Sequence, residues 1–137
     1  MLLARINPVA KRVATTSVGA VRTLVNKATI VGRVGQDAEI NSAGPERSVV
    51  HFSIATSENR KDAEGNLIKT TQWHRIVSWD QKKNPYLAER VKKGDLVFVE
   101  GPIHYRTYTG KDGTEKHLTE ISMRTFQALS AKEPQQQ

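Results

Sequence analysis

Cysteine is absent from all 137 residues, which removes three kinds of chemistry at once. No disulfide framework, thiolate nucleophile or cysteine-based zinc site is available. Acidic residues are missing from one stretch: residues 1–22 hold Arg5, Lys11, Arg12 and Arg22 but no Asp or Glu. The remainder has 17 Lys and Arg against 14 Asp and Glu, so the formal net charge of +7 falls to +3 without that segment. Long apolar runs are missing too. Leu2-Leu3-Ala4 is interrupted by Arg5 and then Pro8, too short and too charged for a secretory core or a membrane span, so no membrane partner is expected. Nothing repeats with the period of a solenoid or propeller.

Catalytic signatures are equally scarce. His51, His74, His104 and His117 are scattered, no HExxH or Walker-type glycine loop occurs, and no Ser sits in a nucleophile motif. The chain is therefore expected not to be an enzyme, with no catalytic residue, no metal site and no cofactor. Its length suits one domain with a real core plus some tail. Its basic balance suits a polyanionic partner.

The acid-free leader contains Ser and Thr and can place Leu2, Leu3, Ile6, Val9 and Val13 near one side of a broken helix. It reads as a mitochondrial presequence over residues 1–22, which implies the mitochondrial matrix. The competing reading is a basic arm that touches nucleic acid directly. A single domain is expected over residues 23–130. Residues 131–137, ending in Pro134 and three glutamines, are expected to be a disordered tail.

The most informative run is Trp73-His74-Arg75-Ile76-Val77-Ser78-Trp79, because strand alternation sends Trp73, Arg75, Val77 and Trp79 to one face. Two indoles with a guanidinium between them suit single-stranded nucleic acid, whose bases stack on rings and whose phosphates pair with cations. The alternative is that both indoles are core, which would bury Arg75 without a partner. His74, Ile76 and Ser78 form the opposite, packing face.

Around this run the chain reads as short strands separated by turns. Val25 to Val34 is the first, bent at Gly32 or Gly35, and residues 37–40 continue it. In the second, Val50, Phe52 and Ile54 face the core. Ser57 to Lys69 is polar and reads as a long hairpin loop carrying Arg60 and Lys61. Asn84-Pro85 starts a short helix, with Asn84 as its cap, and Lys92-Lys93-Gly94 stops it. A hairpin finger joins residues 103–109 to 115–123 through Lys111. On it Arg106 and Tyr108 share a face with His104, while Tyr105 lies opposite, where packing is expected. The pattern suits an all-β, five-stranded OB-fold barrel, with one short helix between the third and fourth strands and long hairpin loops. An SH3-like barrel is the structural rival.

Five blocks then appear in order: Val25-Asn26-Lys27 with Val31 to Asp37, Phe52 to Glu58, Trp73-His74-Arg75, Val91 to Gly94, and Val99-Glu100-Gly101. In these the chain closely resembles the bacterial and mitochondrial single-stranded-DNA-binding proteins. The resemblance implies an OB fold, a homotetramer, and sequence-tolerant single-stranded DNA binding in mitochondrial DNA replication at the nucleoid. It carries the family's stacking positions onto Trp73, Trp79 and Tyr108 and suggests His74 at a subunit interface. A satisfied core histidine is the alternative for His74. One further stacking tryptophan of the family is missing, its region being occupied by Asn59 and Arg60. The acidic C-terminal tip that recruits partners in bacterial relatives is missing as well, so polymerase or helicase contacts would use another surface. Lys27, Arg33, Arg60, Lys61, Arg75, Arg106 and Lys111 are the candidate phosphate track, each equally open to plain solvation. An OB module that binds RNA or mainly a protein partner is the rival function.

Overall fold

A computed structural model describes residues 24–130. The expected presequence (residues 1–22) and tail (residues 131–137) lie outside the described residues. Eight strands and one helix follow in order: β1 (Ala28–Val34), β2 (Glu39–Ser42), β3 (Ser48–Lys61), β4 (Leu67–Ser78), α1 (Asn84–Arg90), β5 (Leu96–Gly101), β6 (Ile103–Thr109), β7 (Glu115–Ser122) and β8 (Thr125–Ser130). They form one sheet in the order β6-β7-β4-β3-β1-β5-β8, with β2 added on β3.

Alternation decides which side of this sheet is core. Ile30 and Val34 on β1, Val50, Phe52 and Ile54 on β3, Ile76 on β4, Val97 and Val99 on β5, and Ile121 on β7 all turn inward. Leu87 from the helix and Val91 just past its end join the cluster. Phe52 meets Phe126 of β8 edge to face, with ring centroids 6.4 Å apart.

The end strands β6 and β8 do not pair with each other; the chain itself joins the two ends of the sheet. β7 runs parallel to β4, and the backbone then crosses over. The Met123 N–H donates to Val77 O on β4 at 2.8 Å, and the Arg124 N–H donates to Glu100 O on β5 at 2.9 Å. Gly101 sits under this crossing, where a β-carbon would collide with the Ser122 carbonyl. The result is the expected OB fold, left open as a ladder and sealed by a strand that changes partners. The helix lies between β4 and β5, as expected once the short β2 is set aside.

Four expectations about local structure are corrected. Residues 37–40 do not prolong β1; β2 is a separate strand paired with β3, Ile40 opposite Val50. Ser57 to Lys69 is not a long loop, because β3 and β4 stay in register out to Lys61 opposite Leu67, leaving residues 62–66 as the turn. That turn is held by the Asp62 carboxylate, which accepts from the N–H groups of Glu64 and Asn66 and so stays below the usual carboxylate pKa. Asn84 does not cap α1. It is buried and donates its amide to the carbonyl and hydroxyl of Ser48, while the Asp80 side chain accepts from the N–H groups of Lys82 and Lys83 ahead of the helix. Tyr105 is not packed: it is 77% exposed, because the β6–β7 finger extends beyond the core.

Candidate functional site

Residues directly opposite each other in a β-ladder face the same way. The register therefore gives the outer surface of the sheet. Arg33, Ala55 and Trp73 stand in line across β1, β3 and β4. One pleat further along β4, Arg75 faces outward opposite Ser53. Beyond it on the finger come Glu120 opposite His104, Leu118 opposite Arg106, and Lys116 opposite Tyr108. Folding thus brings Trp73, Arg75, Arg106 and Tyr108, which are up to 35 residues apart, onto one outward surface.

Trp73 is 63% exposed and rests on backbone that only glycine allows. A β-carbon at Gly35 would run into the indole six-membered ring and come within 2.9 Å of the Ser53 hydroxyl. Gly35 thus lets the ring lie across the β1 turn with its other side open. Gly35→Ala is expected to displace the indole and weaken single-strand binding by several-fold with little change in fold, measurable by tryptophan emission and a titration. Tyr108 is 51% exposed. Trp79 fits the expected face less well: β4 ends at Ser78, Val77 is fully buried, and the expected ladder is broken there. Trp79 lies past the strand end, 39% exposed, with the Arg47 guanidinium 5.8 Å from its ring centre.

The candidate cations separate into three groups. Lys27 is paired with Glu100 at 3.0 Å, and Arg33 donates to Gly94 O at 3.2 Å. Arg75 and Arg106 share one carboxylate, Glu120, which is only 2% exposed. Arg60, Lys61 and Lys111 form no ion pair among the described residues. Arg60 faces away from Lys61 by alternation, so the two serve opposite sides of the β3–β4 hairpin. His74 is on the inner face, half-buried, and shares a 2.8 Å hydrogen bond with the Thr56 hydroxyl. His51 lies on the outer face near Arg75. Burial and then that guanidinium push its pKa below the ordinary histidine value.

Sequence reasoning missed Lys69, Lys116, Arg47 and Glu120. Lys69 is four residues before Trp73 on the same face, a signal hidden once the segment was read as loop. Lys116 faces Tyr108 only because of the finger's register. Arg47 and Glu120 meet their partners through long-range contacts that no spacing rule reveals.

The Single-strand binding protein family model matches residues 25–129. The chain belongs to that family. Its members are strand-binding proteins and not enzymes. The chain is 40% identical over 110 residues to "Single-stranded DNA-binding protein 1" of Chlorobaculum tepidum, covering 80% of this chain and 67% of that protein. It is 37% identical over 108 residues to a single-stranded DNA-binding protein of Xanthomonas campestris, covering 79% and 62%. The chain thus spans about two thirds of the length of these relatives. Among solved structures, the Plasmodium falciparum single-strand binding protein in complex with single-stranded DNA superposes with a TM-score of 0.70. It is 32% identical, and the match covers 79% of this chain and 97% of that one. Trp73, Trp79 and Tyr108 all have exposed rings in this chain. No cluster of three or more metal-ligating side chains occurs among the described residues, and no described helix is long and apolar enough to cross a membrane.

Proposed function

We propose that this protein binds single-stranded DNA without regard to sequence and protects it during mitochondrial DNA replication and maintenance. It acts as a homotetramer in the matrix nucleoid, alongside the replication polymerase and helicase. The observation that carries the DNA reading is the outward group of Trp73, Arg75, Arg106 and Tyr108, two rings and two cations on one surface. Bases stack on the rings and phosphates meet the guanidinium groups, while Lys61, Lys69 and Lys111 extend the basic track along the two hairpins. Family membership and the Plasmodium complex support the same reading. The acid-free segment of residues 1–22 supports the mitochondrial address. Four copies would hold one strand at high effective concentration, offsetting a modest net charge. His74, at the rim of the inner face, is a subunit contact in this assembly.

Titrating the full chain with oligo(dT), oligo(rU) and duplex DNA at several salt concentrations tests this through tryptophan emission. Strong quenching by oligo(dT), little by duplex, and a logarithmic salt slope near −0.7 for each phosphate contact are expected. Preference for oligo(rU), or no quenching at all, would overturn the DNA reading. Light scattering should give four chains per particle. A fluorescent fusion to residues 1–22 should reach mitochondria; a diffuse signal would overturn the address alone.

A further inference from the structure

Glu120 sits on β7 between two arginines that come from different strands. Arg106 on β6 donates from Nε to Glu120 Oε1 at 3.0 Å and from Nη2 to Oε2 at 3.2 Å. Arg75 on β4 approaches the same carboxylate with Nε at 3.6 Å from Oε2. The carboxylate is almost wholly buried, while both arginine side chains are about half exposed. Glu120 therefore takes the Nε side of each guanidinium and leaves outer N–H groups of both facing solvent beside the Tyr108 ring. His51 on β3, whose pKa burial and then the Arg75 guanidinium hold below the ordinary histidine value, is a titratable neighbour; Glu39 faces it from β2.

A buried ion pair adds little net stability over an apolar replacement. A carboxylate beneath a surface that meets phosphates also opposes binding by its charge. Its effect is on arrangement: two long, flexible side chains from separate strands are tied side by side, and their combined charge is reduced from two to one.

Building on the single-stranded DNA reading, we infer that Glu120 is a positioning residue that makes Arg75 and Arg106 a clamp for one backbone phosphate, with the net charge of a single cation. Arg75 lines one cleft with Trp73 and another with Arg106 and Tyr108, so the clamp adjoins both rings. A strand stacked on both is therefore gripped at one point by a fixed fork, where two guanidinium groups tied together neutralise one phosphate instead of one each, and only that phosphate's counterion is released.

The test is a charge cycle read by the salt dependence of oligo(dT) binding. Glu120→Gln keeps the size and an acceptor but removes the charge that ties the two arginines, so each can meet a phosphate of its own and the slope should steepen by about 0.7, an extra loss of about 2.6-fold between 50 and 200 mM salt. Arg75→Ala combined with Glu120→Gln restores a net charge of one and should return the slope to that of the wild type. Glu120→Asp keeps the charge but shortens the reach, so the slope should hold while affinity drops several-fold. Melting curves confirm that each variant is folded. A folded Glu120→Gln protein with an unchanged slope would overturn the clamp, as would a Glu120→Asp protein of wild-type affinity. Failure of the wild type to bind oligo(dT) would instead bring down the DNA reading and the clamp with it.

Discussion

A Trp73→Ala variant is expected to bind oligo(dT) about five- to 150-fold more weakly than the wild type and to melt within a few degrees of it. The range follows from about 1–3 kcal/mol for each stacked base. The unchanged melting point follows from exposure: with 63% of the residue in water, removing the indole opens no cavity. Anisotropy of a labelled oligonucleotide and a calorimetric melt make the two measurements. Wild-type affinity would show that no base stacks there. Weaker binding together with a large drop in melting temperature would make the indole a packing group.

Ile54→Ala is expected to do the reverse. Ile54 is fully buried in the centre of β3, so truncation removes apolar contact and leaves a cavity, costing about 2–5 kcal/mol. For a domain of this size that lowers the melting temperature by about 10 °C or more. Binding measured well below the transition should stay close to wild type, because Ile54 points away from the outer surface. A shift of only a few degrees would mean that the core does not depend on this position. Trp73 and Ile54 are nearly adjacent across the β3–β4 ladder, so this pair of variants separates the two sides of one sheet.

What was legible in the sequence is what alternation can report. Val50, Phe52 and Ile54 are inward and Trp73 and Arg75 outward because a core lies on one side of β3 and β4 and imposes a period of two. The signal stops where the core stops. Past Thr56 both sides of the hairpin meet water, so neither side demands apolar residues, and strands that are fully paired read as loop. Tyr105 fails for the same reason: its side of the finger points inward by alternation, but the core does not reach that far. Asn84 looked like a cap because Asn-Pro favours one, yet the amide was needed to satisfy Ser48 across a long sequence gap. Glu120 carried no local signal at all. Its meaning depends on β6 and β4 both reaching it, which only the fold arranges.

The switch of partners at Met123 and Arg124 also sets when the molecule can finish folding. The two hydrogen bonds that join β4 to β5 come from near the end of the described chain, and one of them reaches back 46 residues to Val77. A chain emerging from synthesis can form its early hairpins quickly, but it carries open edges on β4 and β5 until these residues arrive. Long-range closure of this kind is slow, on the scale of milliseconds to seconds. During that interval the unpaired edges are the places where two unfinished chains would pair wrongly, so the final strand protects the fold as well as completing it.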